Sequence, residues 1–420
     1  MPVGNQTITF LDLFAGAGGL SEGFTAAGYQ SVARVEMDPD SCNTLRTREC
    51  YHHLKSIGET EQYRAYLRGD ISRAELYSMV PEELLDSVIC ETMSEETMPS
   101  VFSKIDASLQ YRGVEKIDLI LGGPPCQAYS NVGRSRKNMG GDPRNTLYKL
   151  YFRALERYRP QMFVFENVPG LLTAANGMYL EAIKDGFRGL GYDLRLKILN
   201  AADYGVPQNR RRVIIIGWKA GSGKSFPELP KTGPRCTVFD ILEDLPPLEP
   251  GEEKSEYIGR EISVALQEAG IRTEDDILTW HVARPNQERD REIYRLAIRT
   301  WDQEHKRLQY TDIPEHLATH HNRSSFLDRF KVVARDLPVS HTMVAHISKD
   351  GHYYIHPDLL QARSISVREA ARIQSFPDNF YFEGSRTSAF RQIGNAVPPL
   401  MANAIARALW AQFGGEQNNE

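Results

Sequence analysis

Long apolar stretches are missing from this chain: no run reaches the ~18–20 residues of a membrane-crossing helix, and no basic start leads into a hydrophobic block as in a secretory leader. A cytoplasmic protein without membrane attachment is expected. Cysteine is scarce as well. The five thiols, Cys42, Cys50, Cys90, Cys126 and Cys236, are odd in number, scattered and free of any Cys-x-x-Cys pair, which argues against a disulfide framework or a zinc knuckle. The histidines gather in the C-terminal half (His316, His320, His321, His341, His346, His352, His356) but form neither His-Glu-x-x-His nor the deaminase pattern, so no metal is expected. An excess of positive charge is also absent: 50 Lys and Arg face 55 Asp and Glu. Whole-chain charge therefore says nothing for nucleic acid.

What is present is a globular composition, 41% hydrophobic and 25% charged over 420 residues, enough for one large domain or two. Short apolar, β-branched runs recur at Ile8–Phe14, Ser31–Glu36, Ser87–Cys90, Ile117–Leu121, Met162–Glu166, Asp193–Leu199 and Arg212–Trp218, with helical patterns between most of them. That alternation predicts an α/β domain with a mainly parallel sheet. Ligands bind such sheets outside the strands' carboxyl ends, where Glu36, Cys126 and Glu166 fall together.

The first run leads into Ala15-Gly16-Ala17-Gly18-Gly19, a tight glycine turn with a helix expected from about Leu20 or Ser21. Glu36 follows at the interval at which such folds set a carboxylate on a ribose hydroxyl. Ser21 stands where the dinucleotide fingerprint has its third glycine, which favours a smaller nucleoside cofactor with no pyrophosphate.

Pro124-Pro125-Cys126-Gln127 ends the fourth run after Gly122-Gly123, delivering one stiffly held thiol to an open cleft. Cys126 is the candidate nucleophile. Such a thiol needs help, being only a few per cent thiolate near neutrality at a pKa of ~8.5. Glu166 closes the very apolar run Met162–Phe165, where desolvation would raise its pKa and suit a general acid; an ordinary strand-end glutamate is the alternative. Between Asn131 and Arg159 eight basic residues stand against two acidic ones, and Arg210-Arg211-Arg212 forms a second cluster. In an otherwise acidic chain, two basic clusters beside the thiol read as a polyanion footprint. Thiolate, carboxylic acid, nucleoside cofactor and basic surface together fit attack on carbon 6 of a cytosine and alkylation at carbon 5.

From Ala220 the character changes to Gly221-Ser222-Gly223-Lys224-Ser225 and a proline-rich stretch, read as a linker and not a phosphate loop. Beyond it are expected a charged amphipathic helix burying Ile293, Leu296, Ala297 and Trp301, and a hairpin pairing His341–Ser348 with His352–His356. The α/β pattern resumes near Arg363 with a capping box, Ser366 and Glu369, and a last helix after Pro398-Pro399. Its apolar face, Leu400, Ile405, Leu409 and Trp410, needs the first domain as cover, which makes the middle segment an insertion.

These motifs, in this order, resemble those of bacterial DNA (cytosine-5) methyltransferases over nearly the whole chain outside the inserted segment. The resemblance implies a Rossmann-like, S-adenosylmethionine-dependent catalytic domain (residues 1–219 and 363–420) and a smaller target-recognition domain (220–362). It implies a cofactor site of Phe14, Ala15, Gly16, Gly18, Gly19, Leu20, Glu36, Met37 and Pro124 with the wall Asn395-Ala396-Val397. For the third cofactor acid, Asp70 has the usual local letters and Glu91 the better strand; Glu91 is preferred, which makes about Thr47 to Asp86 a helical insertion. Cys126 is the implied nucleophile and Glu166 the cytosine-binding carboxylate. Arg210 and Arg212 of Gln208-Asn209-Arg210-Arg211-Arg212 are implied to hold the target nucleotide and the catalytic loop. Pro125, Gln127, Ser130, Asn167, Val168 and Gln208 line the base and loop.

The implied activity is methyl transfer to carbon 5 of a flipped cytosine in a specific duplex sequence, through a Cys126 adduct and with S-adenosylhomocysteine as product. A monomer acting on double-stranded DNA, paired with a restriction endonuclease of the same site, is the expected setting. A basic, glycine-hinged loop after Cys126 (Ser130, Gly133, Arg134, Gly140-Gly141) is expected to close over the base. The rivals are a tRNA-directed cytosine-5 methyltransferase of the same family and a catalytically silent DNA-binding module. The long insertion and Gly140-Gly141-Asp142-Pro143-Arg144 favour DNA over tRNA; the complete Cys, Glu and Arg set favours catalysis. An amino-group methyltransferase is disfavoured because Cys follows Pro-Pro where that class has Tyr.

Overall fold

The computed structural model describes residues 7–125, 147–234, 237–259, 261–318 and 327–414. Cys126, Gln127, Ser130, Gly133, Arg134, Gly140 and Gly141, like Cys236, His320 and His321, lie outside the described residues.

Strand β1 (Thr9–Leu13) runs through the glycine turn into α1 (Gly19–Ala26), and β2 (Gln30–Glu36) leads to α2 (Pro39–Ser56), α3 (Thr60–Arg68), α4 (Arg73–Ser78) and α5 (Glu82–Asp86). Then follow β3 (Val88–Cys90), α6 (Met98–Tyr111), β4 (Leu119–Gly122), α7 (Leu147–Tyr158), β5 (Met162–Asn167), α8 (Met178–Gly189), β6 (Tyr192–Asn200) and β7 (Arg211–Lys219). The inserted segment holds α9 (Val264–Glu268) and α10 (Glu288–Glu304), and the chain ends with α11 (Val367–Ile373), α12 (Arg386–Asn395) and α13 (Pro399–Trp410). All seven runs expected as strands are strands of one sheet, in the order β3-β2-β1-β4-β5-β7-β6. β1 to β5 are parallel to one another, and β7 is antiparallel to β5 and β6 on either side. The carboxyl ends of β1 to β5 therefore share one edge.

Both faces of this sheet are covered, as a parallel sheet requires. Leu11, Leu13, Phe163 and Phe165 point into one layer with Val101 and Ile105 of α6, Tyr151 and Leu155 of α7 and Ile183 and Phe187 of α8. Phe10, Val164, Ile214 and Ile216 point into the other with Leu20 and Phe24 of α1 and Met401, Ile405 and Leu409 of α13. The last helix thus packs on the sheet, with Leu400 and Trp410 at the margin of the contact.

Two glycines make that packing possible. A Cβ on Gly19 would lie 2.1 Å from Val397 O, and one on Gly23 2.4 Å from Ala402 Cβ and 2.5 Å from Asn403 N. Gly23→Ala should therefore cost about 1–3 kcal/mol by overpacking, outweighing the ~0.5–1 kcal/mol of helix propensity it gains. Urea unfolding would read this directly; a more stable variant would mean that α1 and α13 do not meet as described.

The segment between β2 and β3 is helical, and the helices begin earlier than expected, at Pro39, because Asp38 caps α2 by accepting from Ser41 N at 3.1 Å. α2 to α4 enclose a small core (Cys50, Leu54, Tyr63, Leu76) and are tied to the turn before α12. Thr47 and Tyr66 both donate to Glu383 Oε1 at 2.6 Å, and Tyr63 donates to Asn379 O at 2.8 Å.

The inserted segment departs from expectation in two places. His341–Ser348 and His352–His356 form no hairpin: Ala345–Ser348 is a 3₁₀ turn, and Ile355 bridges Val332 and Ser364 instead. The cause is competition for backbone donors, since Met343 N goes to Gln208 Oε1 (2.8 Å) and Val344 N to Tyr354 Oη (3.0 Å). The buried stripe of α10 is Ile293, Tyr294, Ala297 and Ile298; Leu296 sits at its margin and Trp301 turns its indole N–H to Asp336 Oδ1 at 2.9 Å. The Gly221–Ser225 stretch is stapled as a linker, with Ser225 N donating to Gln412 Oε1 at 3.1 Å and Lys224 Nζ to Gln412 O. The capping box of α11 is formed, Ser366 N donating to Glu369 Oε2 at 2.6 Å. One apolar core joins Val238, Ile241 and Met343 of the inserted segment to Ile365, Ala370, Phe376 and Ile393 beyond it.

Candidate active site

Where β1 ends, Phe14, Gly16 and Gly18 all take left-handed backbone angles (φ 59°, 56° and 85°), which folds the turn back over the strand end. Ala15 N donates to Val35 O at 3.1 Å and so ties the turn to β2. Glu36, closing β2, accepts from Gly16 N at 2.8 Å through Oε2 and from Met37 N and Asp38 N at 2.9 Å through Oε1. The carboxylate is therefore fixed at the mouth of the turn, with Met37 60% exposed beside it. Leu20 is buried in the layer beneath with Phe24 and Val397.

Ser21, in the place of the missing glycine, has a structural use: its Oγ donates to Asp12 Oδ2 at 2.6 Å. Burial pushes the Asp12 carboxyl from the ordinary 3.8 up to about 6, offset in part by Ser21 and Arg34. The folded state holds this proton more tightly than the unfolded chain. The stability it contributes is thus present below about pH 4 and lost as the pH rises through about 6. Asp12→Asn escapes that loss, so its stability relative to the native protein should grow between about pH 4 and pH 7, by about 2–3 kcal/mol. Urea melts across that range test this; a constant difference would show that the acid titrates normally.

The two candidates for the third acid are separated by geometry. Asp70 follows Gly69, the left-handed cap of α3, and lies exposed off the sheet against Arg68 Nε at 2.8 Å. Glu91 follows Cys90 at the end of β3, next to Glu36: its N donates to Glu36 O at 2.9 Å, and Lys104 and Ser100 hold its carboxylate at 2.7 and 3.2 Å. The letters around Asp70 describe a helix cap. On the far side of the turn stand exposed Asn395 and buried Ala396 and Val397, with Val397 against Gly19. Turn, two carboxylates, an exposed Met and this wall leave polar and apolar groups suited to a nucleoside.

At the ends of β4 and β5 the second half of the site assembles. Glu166 lies so close over Gly123 that a Cβ there would be 2.7 Å from Oε2. Arg212 Nε meets Glu166 Oε1 at 2.8 Å, with only 13% of the Glu166 side chain exposed. Desolvation raises the Glu166 pKa against the opposing pull of Arg212 and Arg210, and lowers that of Arg212. Asn167 fastens the strand end to the proline turn, its Nδ2 donating to Pro124 O at 3.2 Å while Oδ1 accepts from Val168 N at 2.9 Å. Pro124 is buried and Pro125 exposed, and Pro125 is the last described residue before Cys126.

Two residues implied to touch nucleotide or loop are buried and hydrogen-bonded within the protein. Arg210 is wholly buried, its guanidinium donating to Met343 O, to Gly394 O at 3.0 Å and to Ala396 O at 2.8 Å. Gln208, equally buried, binds Met343 N and Gln374. Alternate side chains of a strand face opposite ways only while it stays in the ladder, and Gln208 and Arg210 precede β7 proper. Gln374, at the end of α11, was not singled out in the sequence; its one signal is an amide closing an otherwise apolar and charged helix. Among the described residues no group of three or more His, Cys, Asp or Glu is arranged to hold a metal.

With β7 antiparallel between β5 and β6 and the ligand edge at the carboxyl ends of the parallel strands, the sheet is that of a Rossmann-like methyltransferase. The family model for C-5 cytosine-specific DNA methylases matches residues 8–76 and 74–411, and the chain belongs to that family, the DNA cytosine-5 methyltransferases. It is 43% identical over 436 residues to the type II methyltransferase M.Bpa9945I of Bacillus paralicheniformis, covering 95% of this chain and 98% of that one. To the type II methyltransferase M1.HphI of Haemophilus parahaemolyticus it is 31% identical, over 96% of this chain and 87% of that one. Its fold is similar to that of a putative DNA modification methyltransferase encoded within an E. coli prophage, with TM-score 0.64, 23% identity and 97% and 100% of the two chains covered.

Proposed function

We propose that this enzyme transfers the methyl group of S-adenosylmethionine to carbon 5 of a cytosine flipped out of a specific duplex DNA site, through a transient bond between Cys126 Sγ and carbon 6. The observation that carries the reading is the desolvated Glu166 carboxyl, held by Arg212 above Gly123 and tied by Asn167 to the proline turn that immediately precedes Cys126. S-adenosylmethionine supplies an electrophilic methyl group. Glu36 and Glu91 would hold its ribose and adenine side, Met37 would lie against the ring, and the glycine turn with Asn395–Val397 would enclose the rest.

The remaining work belongs to the chain. Carbon 5 of cytosine is a poor nucleophile until a thiolate adds to carbon 6 and pushes electron density towards it. Glu166, its carboxyl pKa raised by desolvation, would protonate ring nitrogen 3 and so take up the charge that addition leaves there. Arg212 keeps the carboxyl aimed. After methyl transfer a proton leaves carbon 5 to water, the thiolate is expelled from carbon 6, and the Glu166 carboxylate takes back the proton of nitrogen 3, restoring the ring. Extruding the base costs a few kcal/mol, which phosphate and pocket contacts must recover.

The names of the relatives support a type II modification enzyme; on this proposal it shares its site with a restriction endonuclease and works as a monomer in a bacterial cytosol. Sequence choice would reside in the inserted segment, residues 220–361, through side chains reading base edges. Incubation with methyl-labelled cofactor should label duplex DNA and leave tRNA unlabelled, and bisulfite sequencing of DNA from expressing cells should reveal one protected motif. Label in tRNA alone would move the protein to the RNA-directed branch; no transfer to either would make it a binding module.

A further inference from the structure

Behind the cleft lies a buried polar hub that bond making and breaking does not use. Arg210, Gln208 and Gln374 are each 0% exposed. Arg210 caps the carbonyls of Met343, Gly394 and Ala396. Gln208 accepts from Met343 N at 2.8 Å and donates to Gln374 Oε1 at 2.5 Å and Ile373 O at 3.3 Å. Gln374 Nε2 completes the ring on Ile393 O at 3.1 Å and Ala396 O at 2.7 Å.

Three stretches of chain are joined by this one set of bonds. The first is the lead into β7, which two residues further on presents Arg212 to Glu166. The second is the wall Gly394–Val397, which rests on Gly19 of the glycine turn. The third is the 340–345 stretch of the inserted segment, pressed so closely on the wall that a Cβ on Gly394 would lie 2.4 Å from Ala345 N. Ser340 N and O also bond Pro207 O and Asn209 N, at 2.9 and 2.8 Å. Ala396 O serves Arg210 and Gln374 at once, so a shift of the wall breaks bonds to both. Arg210 Nε is already buried without a hydrogen-bond partner among the described residues, and each lost carbonyl would leave further buried polar groups unpaired.

Resting on the proposed function, we propose that Arg210, together with Gln208 and Gln374, is a positioning residue that couples the cofactor wall to the Glu166 carboxyl and to the DNA-reading segment, so that each ligand tightens the other. Coupling of this kind is reciprocal and commonly amounts to about 5–150-fold. The hub is a contiguous set of bonds whose loss separates the two sites without touching either ligand.

The test measures dissociation constants of S-adenosylhomocysteine with and without a duplex carrying the bisulfite-mapped site, and of that duplex with and without S-adenosylhomocysteine. It uses the full chain and the variants Arg210→Lys and Gln374→Leu. Native protein should show mutual tightening of about 5-fold or more, and both variants less than about 2-fold, with each ligand alone bound within about threefold of native. KM for the cofactor should rise while the pH profile of kcat, set by Glu166, stays in place; a role confined to folding would leave this ratio of constants unmoved. Folded variants with native coupling would overturn the proposal. So would an Arg210→Lys variant that loses DNA affinity with coupling intact, since that places Arg210 on the nucleotide. If Arg210→Lys does not fold, Gln374→Leu decides alone. Native protein that methylates DNA but shows no mutual tightening sinks this inference and spares the function; native protein that binds neither ligand sinks the function itself.

Discussion

Replacing Cys126 by serine is expected to abolish methyl transfer, lowering turnover by roughly four orders of magnitude or more, while leaving cofactor and DNA binding within a few-fold of native. The asymmetry follows from the site. The Glu36 carboxylate is held by the backbone N–H groups of Gly16, Met37 and Asp38, and the Asn167 to Pro124 bond that seats the proline turn uses backbone and amide groups only. Serine keeps the shape but offers a hydroxyl far too weakly acidic to add to carbon 6. Native protein should form a denaturation-resistant complex with duplex DNA containing 5-fluorocytosine, because fluorine blocks the loss of a proton that releases the enzyme; the serine variant should form none. Retained turnover would remove the thiol from the mechanism.

Glu166→Gln carries the second largest expected effect, a fall in kcat of about 10²–10⁴-fold with little change in DNA affinity. The amide keeps the volume over Gly123 and a contact with Arg212, so the fold should survive. What disappears is the transferable proton. Because burial raises the Glu166 pKa, its protonated form is lost as the pH rises through that value, whereas the Cys126 thiolate is gained over the same direction. Native kcat should therefore fall on the alkaline side as Glu166 ionises, and the Gln variant should lack that limb. An unchanged limb would assign it to another group, and unchanged turnover would end the acid's role.

Much of this could be read from the residues because two of the signals are local. A buried parallel strand needs apolar side chains on both faces, so Met162–Phe165 or Leu119–Leu121 can hardly be anything else, and all seven strands lie where such runs occur. Glu166 is similar: a carboxyl ending so apolar a strand must be desolvated wherever the sheet packs. The choice between Asp70 and Glu91 was already less local. Both follow plausible letters, and only the register of β3 against β2 shows that Glu91 reaches the ligand edge while Asp70 closes a helix.

The order of motifs along the chain was thus enough to point to an α/β methyltransferase and to its candidate nucleophile, acid and cofactor turn, since each depends on neighbours within a few residues. Tertiary structure alone decided that Arg210 and Gln208 turn inward, that His341–His356 forms no hairpin and that Gly19 and Gly23 exist to admit the C-terminal segment. In each case a backbone group or side chain took a hydrogen-bond or van der Waals partner from more than a hundred residues away, as Met343 N does from Gln208 where the hairpin was expected. Which of several satisfactory partners a polar group chooses is settled by packing, and packing is not written in local spacing.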